Sequence, residues 1–519
     1  MTTRPDTTLC LHDVQEEQAR SSPAVWAVVE DDLRFDYRTA QRRVLQLASV
    51  LRSRGVGPGD RVAWLGLNSF RVVELMIAAG RLGAMICPLN WRQTVDELEF
   101  VLADLAPTVV VAYPDPTQGD EGVHPRLRAA AEEATWYIVD GSAEGYESVL
   151  TAADPDVTPA RSDPTAPVLI MYTAAHEGRP NGAMMTHQGL IAAGVVHAVM
   201  HGAFDGGQPV FLAALPLYHI ATFMGCLSTL LLGGTVVYLP RASPEGISGL
   251  LASERCTWAY LTGPIIGQVA EAVEAAGSSL PDFRTPEAYV SADPRWASLG
   301  TPSPAPWSRY PGAFGQTELT GIVTYTALAV GAEGAAGRPS PWCLVRVVDG
   351  EDEDVPQGEP GEIVVRGLTA GAGYWNRDEV NAQRSRGGWW HTGDLGRRES
   401  DGSLSFVGPK TRMVKSGKEN IYPVEVERCL REHPAIADVA VLGVPDPVWE
   451  QSVKAVVVPV AGETLTEDEV VAHCRERIAS YKKPRHVVFA ADLPRKAGRV
   501  DRDELDRLYD GGGYPGVGA

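Results

Sequence analysis

Over roughly the first 400 positions, short apolar runs alternate with stretches whose apolar residues recur at helical spacing. Residues 61–67 (RVAWLGL) predict a buried strand, and residues 70–82 a helix with its apolar side chains on one face. Residues 85–88 begin another strand and 95–105 another helix, and the rhythm returns at 108–113, 209–215, 235–239 and 258–261. Alternation of this kind predicts parallel sheets covered by helices. From about residue 336 the grain changes, and 362–366 and 404–407, with their Gly-rich connections, predict a smaller β unit. After Gly408 comes a helix at 423–433, strands at 437–444 and 452–460, and a helix at 467–478. The fold class that follows is α/β. Parallel sheets flanked by helices, with the small β unit, make a large N-terminal domain of several subdomains (residues 1–408). A connection at 409–412 leads to a small α+β C-terminal domain (413–509), and the Gly-rich end, 510–519, predicts a flexible tail.

A chain of 519 residues with 44% hydrophobic content has ample material for more than one core. The 66 acidic residues against 46 basic ones argue against a phosphate-backbone partner such as nucleic acid. No two of the seven cysteines have the close spacing of a zinc or redox site, so they are expected to be reduced and mostly buried. Residues 1–18 lack the basic start and apolar centre of a secretory signal, and no run of about 18 apolar residues offers a membrane span. A cytoplasmic location is the expectation.

Residues 168–187, VLIMYTAAHEGRPNGAMMTH, run from an apolar strand through a loop with two glycines into a helix beginning near Thr186. Glycines let a loop bring backbone N–H groups against phosphate oxygens, although a strand, Gly loop and helix more often form plain connection. Further along come PLYHIATF (216–223), FGQTE (314–318), WHTGDLG (390–396), GPKTRMVKSGKENIYPVEVE (408–427) and LPRKAGRV (493–500). In this order and at these separations they resemble the adenylate-forming (AMP-binding) superfamily of acyl-CoA synthetases, peptide-synthetase adenylation domains and luciferases. The resemblance spans residues 25 to 505.

That resemblance implies a C-terminal domain acting as a lid, residues 409–412 acting as hinge, and an active site between the domains. It implies an acid that attacks the α-phosphate of ATP to give an acyl-AMP, from which a thiol, usually of CoA, displaces AMP. Glu318 would hold Mg²⁺, a hard cation suited to carboxylate oxygens, and Thr317 would hydrogen-bond the α-phosphate. Asp394 would accept both ribose hydroxyls, and Phe314 with Gly315 would lie against adenine, beside Ser291, Ala292 and Asp293. Thr173, Gly178 and Gly182 are what remains of the phosphate loop. His219 would sit at the mouth of the acyl pocket, with Phe223, Met224, Gly225, Thr262 and Ala313 as candidate walls for an aromatic or medium-length aliphatic acid.

Several positions depart from the family pattern. The phosphate loop has lost two hydroxyls and its lysine, and Glu177 adds a charge that a phosphate oxygen about 4 Å away would repel by about 4 kcal/mol at a dielectric near 20. Where the lid motif ordinarily ends in Gly-Lys, Gly498 precedes Arg499, leaving Arg499 or Lys496 to supply the cation used in adenylation. Pro409 stands where an arginine usually meets the ribose, so Lys410 or Arg412 is left for that contact. Lys418 replaces the second glycine of the pantetheine channel. The leading reading is an AMP-forming acid:CoA ligase using ATP and Mg²⁺, with CoA as acceptor. Two alternatives stand beside it: an adenylating enzyme with an amine acceptor, such as one activating nitrous acid for an aryl amine, and a quiet nucleotide- or acyl-binding relative.

Overall fold

The computed structural model describes residues 8–113, 123–158, 160, 163–173, 179–203, 207–410, 412–417, 419–496 and 499–512. Two largely parallel sheets carry the N-terminal domain. One has six strands in the order Thr135–Ile138, Val109–Tyr113, Arg61–Gly66, Met85–Pro88, Pro167–Thr173 and Asn181–Thr186, parallel up to the last, antiparallel pair. The other has five, in the order Trp258–Ala259, Val210–Ala213, Thr235–Tyr238, Trp26–Glu30 and Leu33–Asp36, again parallel except at its last edge.

Alternate residues of the central strands enter different cores. Val62 joins the cluster containing Leu47, Leu51 and Leu75, while Ala63 joins the one containing Leu98, Val101 and Leu102. A strand covered on both faces has no polar side, which is why the sequence shows apolar runs here. Helix Val95–Leu105 starts at Thr94, whose hydroxyl accepts from Glu97 N while the Glu97 carboxylate accepts from Thr94 N.

Helix Arg71–Arg81 departs from the one-faced expectation, since every residue in it except Val73 is buried. Its charges are affordable inside because they are paired. Arg71 meets Glu30 and Glu147, and Glu74 meets Arg43. The glycine loop also differs from expectation, because the return strand Asn181–Thr186 pairs with Pro167–Thr173 before the helix His187–Met200 begins at its cap Thr186.

The β unit comprises an antiparallel trio, Ala313–Gln316, Gly321–Tyr325 and Arg338–Pro339, and an antiparallel quartet, Cys343–Val348, Pro360–Gly367, Trp390–Arg398 and Leu404–Pro409. Beyond residue 409 the chain enters a second body, whose mixed sheet contains Val414–Ser416, Glu419–Ile421, Ile436–Asp446, Glu450–Pro459 and His486–Phe489. One face of this sheet (Val439, Val441, Val453, Ala455) packs on helices Pro423–Arg431 and Glu467–Arg477. The other face (Ala440, Leu442, Val456) is covered by Leu493 and Leu505. Tail residue Gly512 is bonded to this sheet, its N to Gly443 O and its O to Gln451; residues 513–519 lie outside the described residues.

Candidate functional site

Two carboxylates lie where the trio, the quartet and the antiparallel pair Pro167–Thr173 and Asn181–Thr186 adjoin. Strand Ala313–Gln316 ends in a single 3-10 turn, Thr317–Leu319, which carries Glu318 and begins at the half-buried Thr317. Glu318 Oε1 accepts from Tyr374 Oη at 2.8 Å and from Thr173 Oγ1 at 3.3 Å. No bond from the described residues goes to Oε2, so one oxygen of a half-buried carboxylate remains for a hard cation, and the donor chemistry suits Mg²⁺. Asp394 lies on strand Trp390–Arg398, where Gln316 Nε2 donates to its Oδ2 at 2.6 Å and to Thr392 O at 3.1 Å. Burial, reinforced by the negative charge of Glu318, pushes the Asp394 carboxyl up to about 7, against the pull of Gln316, Arg384 and Lys415.

The second body supplies the opposite wall. His219 caps helix Ile220–Leu231, and its Nε2 lies 3.5 Å from Glu419 Oε1, while Arg92 Nη1 reaches the same oxygen at 3.2 Å. Burial alone would raise Glu419, but His219, Arg92 and Lys482 outweigh it and keep the carboxylate ionised. Lys482 Nζ is buried between Glu425 (2.7 Å) of its own body and Glu97 (2.6 Å) of the N-terminal domain. Thr94 Oγ1 donates to Arg477 O at 3.0 Å, and the Arg92 guanidinium lies 5.3 Å above the Tyr481 ring. The C-terminal body therefore docks by the side that carries helix Glu467–Arg477 and Lys482.

The hairpin Arg495–Lys496 and Arg499–Val500 lies on the other face of the same sheet. Leu493 and Val500 pack beside Ala440 and Leu442, and Arg495 is ion-paired with Asp438. Lys496 is exposed and makes no ion pair among the described residues, and the Arg499 side chain lies outside them. The structure thus does not bring this hairpin to Glu318 in the lid orientation seen here. Lys410 is bound to Glu362, and Arg412 to Asp503 and Asp506, so neither points freely at a ribose.

The remaining expected residues divide. Phe314 is 6% exposed and already stacked on Phe406 at 5.9 Å, so little of its ring is left for a base. Gly315 sits at a bulge where a Cβ would come 2.2 Å from Gly321 O. Gly182 is buried in the return strand, where a Cβ would lie 2.8 Å from Ile170 Cγ2, so strand packing accounts for this glycine. Ser291 and Ala292 are exposed at the end of helix Glu287–Ala292, and the Asp293 carboxylate is held by Arg295 at 2.7 Å; no hydrogen bond among the described residues links the three to Glu318 or Asp394. Phe223 is fully buried, and Gly225 fits against Phe211, whose Cζ a Cβ would meet at 2.3 Å. Phe223 is thus packed into the core, and Gly225 is a close-packing position against the strand that carries Phe211. Met224 and Ile220, one turn apart, face Gly321, and Thr262 and Ala313 are half-buried. Gly178 and Lys418 lie outside the described residues.

Sequence reasoning passed over Gln316, Tyr374 and Glu419, although Gln316 and Glu419 lie inside quoted motifs. Lys415 also lies inside a quoted motif, whereas Arg384 and Arg92 carried no local signal, because their roles depend on what the fold sets beside them.

The sequence profile described as AMP-binding enzyme matches residues 15–375, and that of the AMP-binding enzyme C-terminal domain matches residues 425–498. A feruloyl-CoA synthase of Amycolatopsis sp is 36% identical over 519 aligned residues, covering 95% of this chain and 97% of the relative. An indoleacetate–CoA ligase of Aromatoleum aromaticum is 32% identical over 510, again covering 95% and 97%. Among solved structures, o-succinylbenzoate CoA synthetase from Bacillus subtilis, a double mutant bound with its product analogue, superposes with a TM-score of 0.79 at 23% identity, covering 96% of this chain and 99% of that one. The same synthetase in complex with its acyl-adenylate intermediate gives 0.64, covering 96% and 98%.

Proposed function

We propose that this chain, which belongs to the AMP-binding enzyme family and is an AMP-forming acid:CoA ligase, activates an aromatic carboxylic acid, and that the lid orientation described above serves thioester formation. The observation that carries the second part is the contact of Glu419 with His219 and Arg92, which puts the lid strand Glu419–Ile421 over the start of helix Ile220–Leu231. The aromatic reading is supported by the two relatives named for feruloyl and indoleacetate thioesters, and by the apolar Ile220 and Met224 near Gly321.

In the first half-reaction the acid's carboxylate attacks the α-phosphorus of ATP, and the bond to pyrophosphate breaks. Glu318 would hold Mg²⁺ through Oε2 while Tyr374 and Thr173 fix Oε1. The ion supplies neutralisation of phosphate charge when bound. Thr317 would meet the α-phosphate, and Asp394, held by Gln316, would take the ribose hydroxyls as an ionised acceptor. The acid and nucleotide gain chiefly from positioning and preorganised charge. Arg499 or Lys496 would arrive only after the lid turns its other face inward. In the second half-reaction the CoA sulfur attacks the acyl carbon, its proton passes to solvent, and AMP leaves with the acyl–oxygen bond. Glu419 and Arg92 would hold the His219 ring at the pocket mouth during this step.

The test is AMP formation with and without CoA, using hydroxycinnamates, arylacetates and straight-chain fatty acids. CoA-dependent turnover with the aryl acids at the highest kcat/KM is expected. A straight-chain acid turning over faster than any aryl acid would overturn the substrate class.

A further inference from the structure

A second cluster of chemically capable side chains lies outside this site. Cys10 caps helix Leu11–Ser21, His12 lies in its first turn, and His187 opens helix His187–Met200, next to the strand Asn181–Thr186. All three are buried, and each offers one ligand atom, with these atoms within 4.8 Å of one another. His12 is 1% exposed, and neither of its ring nitrogens has a hydrogen-bond partner among the described residues. A buried imidazole with both nitrogens unsatisfied is rare, and a missing ion is one of the ordinary explanations. His187 Nδ1 accepts a long bond, 3.3 Å, from Leu11 N, so this nitrogen is an unprotonated one turned towards the N-terminal helix.

We propose that Cys10, His12 and His187 form a site for one zinc-like divalent ion, which ties the N-terminal helix to the base of the hairpin that carries Thr173. One thiolate with two imidazoles is a borderline-soft donor set of the kind zinc takes. Zinc–sulfur bonds of about 2.3 Å and zinc–nitrogen bonds of about 2.0 Å put ligand atoms roughly 3.5 Å apart, so the cluster closes on the ion with shifts of about an ångström. Asp13 Oδ1, 3.7 Å from His12 Nε2, is the nearest carboxylate for the fourth position. Arg81 is the cation that faces His12, and Asp13 and Glu16 offset it. Among the described residues no hydrogen bond links His12 or His187 to Glu318, Asp394 or His219, so the proposed site is structural and separate from the reaction.

The test uses the whole chain, stripped with a chelator and reloaded with Zn²⁺ or Co²⁺ alone. One zinc per chain should survive desalting, and the cobalt form should show a thiolate-to-cobalt charge-transfer band with tetrahedral visible bands. Cys10→Ser and His12→Gln should each weaken zinc binding at least about tenfold in competition with a chromophoric chelator, with adenylation unchanged. Zinc should raise the melting temperature of the parent chain and not that of Cys10→Ser. Substoichiometric zinc, a cobalt spectrum without the thiolate band, or undiminished binding by Cys10→Ser would overturn the proposal. The cobalt spectrum of the parent chain decides the matter even if a variant fails to fold.

Discussion

The polar contacts around Glu318 and Asp394 differ in kind from those at the lid interface. Tyr374, Thr173 and Gln316 all belong to the N-terminal domain, so they hold the two carboxylates whichever way the lid faces. Lys482–Glu97, Arg92–Glu419 and Glu419–His219 cross between the bodies and exist only in this orientation. The first set is a fixed cradle; the second is a latch that the proposed turning of the lid would break and remake. A reaction in two halves needs both kinds, because the nucleotide stays while the group presented to it changes.

Glu318→Gln tests the cradle most severely, since it keeps the hydrogen-bond acceptor and removes the charge that suits Mg²⁺. Pyrophosphate release should fall by about a hundredfold or more, with an unchanged circular dichroism spectrum. Lys482→Ala should destabilise the chain by about 3–5 kcal/mol in denaturant unfolding, because it strands the buried Glu425 beside Glu97 without a partner. Glu97→Gln, which spares the Lys482–Glu425 half of the pair, should cost much less.

The pH dependence of AMP binding probes the cradle again. An Asp394 carboxyl lifted to about 7 is protonated below that pH and ionised above it, and the ionised form is the better ribose acceptor. AMP affinity, measured by calorimetry, should therefore strengthen as pH rises through 7, by up to about tenfold per unit below it. Asp394→Asn should bind weakly and flatten the profile. The smallest effect belongs to the latch. Glu419→Gln should slow CoA-dependent thioester formation about fivefold while leaving adenylate formation, read by pyrophosphate exchange, within about twofold. Equal losses in both halves would erase the distinction between cradle and latch.

The alternation of strand and helix, the separate C-terminal unit and the family were legible in the chain, because periodicity and motif order are local properties. Strand and helix positions came within a few residues: 235–239 is observed as Thr235–Tyr238, and 467–478 as Glu467–Arg477. The return strand Asn181–Thr186 was missed because it is short, carries two polar residues and a glycine, and gains its identity by pairing with Pro167–Thr173. Phe223 and Met224 are adjacent apolar residues that the sequence cannot separate, yet one is core and the other faces Gly321, since successive helical positions point about 100° apart. Cysteine spacing gave no metal signal, because the third member of the Cys10–His12 cluster is His187, far along the chain.

By itself, the sequence determined that this is an AMP-forming enzyme, and its motifs singled out Glu318 and Asp394 as the residues proposed for its nucleotide site. Those residues sit in short motifs whose chemistry needs only neighbours in the chain. Only the tertiary structure decided which carboxylate is lifted towards neutrality, which lid face meets the N-terminal domain, and what Lys482, Glu419 and His187 touch. Each of these rests on groups tens to hundreds of residues apart, whose charge and burial act through space.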